Sequence, residues 1–272
     1  MLPYPSINPI IVQVGPLALR WYGLMYLIGL TGAYWLIRRR VAEQRLGLTP
    51  DQVYDMVVYA ALGVFLGGRL GYVFFYNLPY YLEHPLKIAA VWEGGMSFHG
   101  GLIGVIVSLI WFARRMGMPV YTVADLAAAV TPLGLGFGRI GNFINGELFG
   151  RPTDVPWCMV FPNGGPDCRH PSQLYEASLE GVLLFTVLWV ISRFRVPPGT
   201  ILWSFLAGYG ICRFIVEFFR EPDPQMGMFF GAISMGQVLS SPMIFIGLTM
   251  LVIGFLRARP ERDAHATNPR HS

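Results

Sequence analysis

The chain has 272 residues, of which 54% are hydrophobic and only 13% charged, against roughly 25% charged in ordinary globular domains. That balance excludes a pair of soluble domains and points to an integral membrane protein. The net charge of +4 does not point to nucleic acid, because the positive residues fall in short clusters after apolar runs and no basic stripe or nucleic-acid motif accompanies them.

Met1 to Val14 has no positively charged n-region and no small-residue cleavage site, so no removable signal peptide is expected. A membrane-crossing helix needs about 20 mainly apolar residues. Seven segments meet that need, at about 17–37, 53–75, 97–114, 120–138, 175–193, 200–219 and 237–256. The expected fold is therefore an all-α integral membrane protein with about seven transmembrane helices. The fourth segment is the weakest, since Asp125, Thr131 and Pro132 interrupt an Ala/Gly-rich run. Neighbouring helices can satisfy the backbone groups that such interruptions free.

Arginines follow alternate segments: Arg38, Arg39, Arg40 and Arg45 the first, Arg114 and Arg115 the third, Arg193 and Arg195 the fifth, and Arg257, Arg259 and Arg262 the last. Positive loops stay on the cytoplasmic side, which sets the amino terminus outside and the carboxyl terminus inside. Residues 1–258 then form a single transmembrane domain, and 259–272 a polar cytoplasmic tail that frays. The connection from about 139 to 174 is too long for a turn and should form a small outer (periplasmic) cap. Cys158 and Cys168 lie in that connection, where an oxidising compartment allows a disulfide; the plainer alternative is that both are loop residues. No CxxC or His/Cys spacing suggests a metal, and no cofactor is implied.

On this topology the polar residues inside apolar segments converge. Tyr22 belongs to the outer part of the first segment and His99 to the outer start of the third. Arg139 ends the fourth, and Asn142 shares its face if the helix continues, being three residues on. Tyr209, Arg213, Glu217 and Arg220 form one stripe on the sixth. Groups of this kind are costly at lipid depth unless partnered, and they mark function by default. The plain readings stand beside this one. Arg213 and Glu217 make sense as a structural ion pair, a lone histidine as an interfacial residue, Arg69 as a structural or lipid-contacting group, and Asp125 as a helix-packing group. Gly134, Gly136 and Gly138 suit close helix contacts.

The densest stretch is Gly138-Arg139-Ile140-Gly141-Asn142-Phe143-Ile144-Asn145-Gly146-Glu147-Leu148-Phe149-Gly150. Its pattern G-R-x-G-N-F-x-N-x-E-x-x-G resembles the signature of prolipoprotein diacylglyceryl transferases. His99-Gly100-Gly101-Leu102-Ile103-Gly104 resembles a second motif of that family. Further similar segments are Arg20-Trp21-Tyr22-Gly23, Arg169 to Glu176, Arg213 to Arg220, and Ile233-Ser234-Met235-Gly236-Gln237, so the likeness runs from about residue 9 to about 256.

The resemblance implies transfer of the diacylglyceryl group of phosphatidylglycerol to the lipobox cysteine of prolipoprotein signal peptides, with release of glycerol phosphate. It implies an inner-membrane enzyme facing the outer leaflet, with lipid and signal peptide as partners and no nucleic acid. His99, Arg139 and Arg213 are the implied catalytic groups. Tyr22, Asn142, Asn145, Glu147, Gly150, Tyr209 and Glu217 join Arg139 in binding substrate, with Glu147 and Glu217 orienting arginines. Guanidinium forks suit a phosphate because they stay charged and bind it bidentately. The competing reading is a transporter or flippase for an anionic lipid, which would show inverted repeats or sites near the midplane; no internal repeat is visible.

Overall fold

The computed structural model describes residues 1–15, 17–221, 228–229 and 233–267. The architecture is mostly helical, and helices account for every one of the seven apolar segments. They are α1 (Trp21–Gln44), α2 (Pro50–Tyr76), α3 (Leu78–Glu83), α4 (Phe98–Arg115), α5 (Val120–Asn145), α6 (Ser172–Glu176), a π-helical stretch (Ala177–Leu183), α7 (Leu184–Ile191), α8 (Thr200–Val216) and α9 (Met235–Thr267). Five described spans are long and apolar enough to cross a membrane: Pro50–Tyr76, Phe98–Arg115, Val120–Asn145, Ser172–Ile191 and Met235–Ala258. Thr200–Val216 is a shorter apolar helix.

Two ends differ from the sequence expectation. The first apolar segment, expected from about residue 17, becomes helical only at Trp21, because β2 (Leu17–Arg20) pairs antiparallel with β1 (Ile10–Val14). Ladder pairing there overrides the apolar run that read as helix. At the other end α9 continues to Thr267, past the expected span of about 237–256. A second small sheet pairs β3 (Met228–Phe229) with β4 (Ile233–Ser234).

The chain divides into two compact units. One comprises Tyr34–Ala124 and the other Met1–Ala33 with Asp125–Ser272. In the first, α2 and α4 pack backbone to backbone. A Cβ on Gly104 would overlap the carbonyl of Gly63, and one on Gly71 would lie 2.7 Å from Gly100 Cα, so small residues let the helices touch where lipid offers no hydrophobic drive. Arg69 is buried and structural here. Its guanidinium donates to the carbonyls of Ile88 at 2.9 Å, Lys87 at 2.7 Å, Ala90 at 3.1 Å, Gly95 at 3.1 Å and also Gly94. Five carbonyls fix the loop after α3, and Tyr81 covers the guanidinium with its ring. Ser97 caps α4 by accepting from the Gly100 N–H at 3.2 Å.

In the other unit, Asp125 holds two helices together. Its carboxylate accepts from the Gly199 N–H at 2.7 Å and the Leu202 N–H at 2.8 Å, satisfying the free donors that open α8. The packing role expected for it is the one it has. The connection between α5 and α6 is compact. Phe143, Met159 and Phe161 form its core with Tyr4, Phe149 and Leu174 against them. Cys158 and Cys168 are joined by a disulfide with Cα atoms 5.5 Å apart.

Candidate functional site

The site is built where α5, the helix from Ser172 and α8 bring arginines and glutamates together. Two glycines set the approach. A Cβ on Gly136 would lie 3.1 Å from Gly181 Cα, and one on Gly181 2.8 Å from Gly136 Cα. Bare backbone at both positions is what lets α5 lie against the π-helical stretch. Arg139 is one turn beyond Gly136, and Glu180 is next to Gly181, so the glycine contact delivers the one to the other.

Arg139 Nε is 2.8 Å from Glu176 Oε2, and Arg213 Nη1 reaches the same oxygen at 3.1 Å. One carboxylate oxygen is thus shared by two guanidiniums. Arg213 also pairs with Glu217 at 3.0 Å, and Arg220 stands 4.0 Å from Glu217. Glu176 and Glu180 are completely buried, and the arginine side chains are 12–20% exposed. The arginines therefore keep an open edge while the carboxylates do not. That is the arrangement expected if an anion arrives from the exposed side. The set comprises three arginines, Arg139, Arg213 and Arg220, and three glutamates, Glu176, Glu180 and Glu217.

The signature loop follows directly. α5 continues to Asn145, which meets the condition for placing Arg139 and Asn142 on one face. Asn142 Nδ2 donates to Glu147 Oε1 at 2.8 Å and Asn145 Nδ2 to the same oxygen at 3.1 Å. Glu147 therefore holds the two amides rather than an arginine, because it returns onto the helix end only two to five residues away. Gln173 Nε2 donates to the Glu147 carbonyl at 2.7 Å and fixes that return. Gly150 has a packing reason for its identity: a Cβ would collide with the Phe219 carbonyl and lie 2.7 Å from His170 Cβ. Gly146 has φ of 65°, a left-handed turn that suits glycine.

Tyr22 packs its ring on Gly141, where a Cβ would lie 2.8 Å from the ring, and its hydroxyl is 3.2 Å from that of Tyr26. Tyr209 stacks on Phe205 with ring centroids 5.9 Å apart. Glu217 lies under the first turn of α9, since a Cβ on Gly236 would overlap its carboxylate. Ser234 and Gln237 exchange side-chain-to-backbone hydrogen bonds at 3.1 and 3.3 Å, which is a capping box. The segment Ile233 to Gln237 thus opens a helix whose positive end faces a carboxylate. His99 belongs to the other unit, in the first turn of α4; it is exposed, with its ring 5.7 Å from Phe98.

Three members of the cluster were not among the expected site residues: Glu176, Glu180, and Arg220, which the sequence placed only on the stripe of the sixth segment. Glu180 carried a usable signal, being an acidic residue inside an otherwise apolar run. What sequence spacing could not reveal is the π-helical stretch around it, a distortion often found at functional sites.

The chain is similar to known proteins over most of its length. A sequence model of the family "Prolipoprotein diacylglyceryl transferase" matches residues 9–253. A phosphatidylglycerol–prolipoprotein diacylglyceryl transferase of Geobacter sulfurreducens is 56% identical over 252 residues, 92% of this chain and 96% of the relative. One of the same description from Vibrio vulnificus strain YJ016 is 55% identical over 257 residues, 94% of each. Another, from Aliivibrio salmonicida, is 53% identical over all of this chain and 94% of its own length.

Proposed function

The chain belongs to the prolipoprotein diacylglyceryl transferase family, and from that premise we propose how its residues carry out the reaction. The protein is a membrane-embedded transferase that moves the diacylglyceryl group of phosphatidylglycerol to a prolipoprotein in lipoprotein maturation. The acceptor is the thiol of a lipobox cysteine in the signal peptide, and glycerol phosphate is the product that leaves. Sulfur displaces oxygen at the glycerol carbon that carries the phosphate, so the thiol must lose its proton and the phosphate must be stabilised as charge gathers on it. Both substrates are lipid-soluble, which makes alignment the remaining task.

Arg139 and Arg213 hold the phosphate. The observation that carries this reading is their convergence on one oxygen, Glu176 Oε2, at 2.8 and 3.1 Å. Two guanidiniums that can share one carboxylate oxygen are spaced to share one phosphate. Asn142 and Asn145, already fixed by Glu147, bind head-group oxygens, with Gly150 shaping the loop and Tyr22 and Tyr209 lining the lipid. Glu217 orients Arg213. His99 is the group for the thiol on the strength of its His-Gly-Gly-Leu-Ile-Gly motif. It orients the thiol or takes its proton; free cysteine titrates near 8.5 and histidine near 6.5, so neighbouring charge has to offset about two pKa units.

The test is to incubate purified protein with phosphatidylglycerol and a lipobox peptide. Equimolar glycerol phosphate and thioether-linked lipid are expected, with neither product formed from a peptide whose cysteine is replaced by serine. Release of free glycerol, or equal reaction of the serine peptide, would refute the displacement at carbon.

The enzyme lies in the bacterial inner membrane with its site toward the outer leaflet. The Cys158–Cys168 disulfide supports this side, since such bonds persist in oxidising compartments. Reporter fusions after Arg40, Arg115, Arg195 and Arg259 should read cytoplasmic. Those near Lys87, Asp154 and Asp223 should read external, Asp223 lying outside the described residues. A cytoplasmic reading near Asp154 would overturn the orientation.

A further inference from the structure

Glu180 is the member of the ion cluster to which the phosphate clamp gives no task. It is fully buried, and neither of its oxygens accepts a hydrogen bond from the described residues. Its nearest cations are Arg139 Nε, 3.9 Å from Oε2, and Arg213 Nη1, 4.0 Å from Oε1, both beyond hydrogen-bonding distance. Those guanidiniums are turned to Glu176 instead. An ionised carboxylate in such a place bears the desolvation cost with no donor in return. A proton on Glu180 removes that cost.

Charge counting leads to the same state. Arg139, Arg213 and Arg220 bring three positive charges, and Glu176 and Glu217 two negative ones. With Glu180 neutral the set carries one net positive charge, which matches the single negative charge of a phosphodiester. With Glu180 ionised the set is neutral, and the carboxylate would repel the phosphate that its two neighbouring arginines are placed to hold. The groups that face Glu180 are Arg139 from α5, Glu176 on its own helix, Tyr209, Cys212 and Arg213 from α8, and Arg220 just beyond α8.

We propose that Glu180 is carried as the neutral acid and serves as the general acid that protonates the departing glycerol phosphate. The assignment rests on Arg139 and Arg213 holding the phosphate. As sulfur bonds to the glycerol carbon, the carbon–oxygen bond breaks and its electron pair stays on the phosphate oxygen. Glu180 gives its proton to that phosphate, so the monoester leaves as a monoanion. The thiol's own proton goes to the base that activates the thiol and then to solvent. The Glu180 carboxylate that remains is compensated by Arg139 and Arg213 until it regains a proton after product release.

The test compares Glu180→Gln and Glu180→Asp with the parent enzyme. Glu180→Gln keeps shape and neutrality but has no acidic proton. Its turnover should fall about 100 to 10,000-fold, the usual range for a general acid, while KM for phosphatidylglycerol stays within about twofold. The parent rate should decline as pH rises through the ionisation of Glu180, and that decline should be absent in Glu180→Gln. Infrared spectroscopy of the parent protein should show a protonated carboxylic acid band that is lost in Glu180→Gln and shifted in Glu180→Asp; this reading on the parent needs no activity from a variant.

Turnover of Glu180→Gln within about threefold of the parent, or a raised lipid KM with unchanged turnover, or no protonated acid assignable to Glu180, would each overturn the proposal. Failure of the clamp itself has a different signature: Arg139→Lys and Arg213→Lys would retain both the parent's turnover and its KM for phosphatidylglycerol, whatever Glu180→Gln does.

Discussion

Arg139→Lys is expected to lower transfer by about two orders of magnitude while the protein still inserts and folds. Lysine keeps a positive charge facing Glu176, which Arg139 now meets at 2.8 Å, so the net charge of the cluster is unchanged. What it lacks is the planar fork that can grip two oxygens at once. A lost charge-assisted hydrogen bond is worth about 1.5–3 kcal/mol, or roughly 10 to 150-fold, and loss of a bidentate contact belongs at the upper end. The check is turnover against phosphatidylglycerol concentration in detergent or reconstituted membranes. Near-parental turnover at saturating lipid would show that the fork is not needed.

The largest expected effect on stability is that of Glu176→Ala. The substitution takes away the carboxylate on which Arg139 and Arg213 both depend and leaves Glu180 at 3.9 and 4.0 Å as their nearest remaining partner within the helix from Ser172. Breaking a buried ion pair from one side typically costs about 3–5 kcal/mol, because the abandoned charge stays buried. The internal control is Glu93→Ala, which removes the exposed partner of the equally exposed Lys87. Surface pairs of that kind are worth about 0–1 kcal/mol. Equilibrium unfolding in detergent should separate the two variants clearly. Equal, small losses for both would mean that the cluster around Glu176 is not the tight, desolvated set described above.

The helices were legible in the sequence because lipid demands long apolar runs, and each run expected is helical in the structure. The boundaries were less so. Leu17 to Arg20 is apolar enough to extend α1, yet pairs as a strand with Ile10 to Val14; a local ladder is not visible in composition. The reverse holds at Asn145, where polar residues conceal that α5 is still helical.

At the site, spacing was enough to group Arg213, Glu217 and Arg220, since a helix puts such residues on one face. It was not enough for Glu147, whose partners Asn142 and Asn145 depend on how the chain turns after the helix. Glu176 and Glu180 were obscured for a different reason. Their meeting with Arg139 depends on the close approach of Gly136 and Gly181, a tertiary contact between helices well apart in sequence. Arg69 illustrates the same limit, because its five carbonyl partners belong to a loop that only the folded unit brings around it.

The central claim is that Arg139 and Arg213 exchange their shared carboxylate for the phosphate of the lipid. An experimental structure of the enzyme with bound phosphatidylglycerol, or with a non-reactive phosphonate analogue, tests it most directly. The phosphorus should lie between the two guanidiniums, with oxygens within hydrogen-bonding distance of both and at least one arginine drawn away from Glu176 Oε2. A head group bound elsewhere, with the Arg139–Glu176–Arg213 contacts intact, would contradict the account.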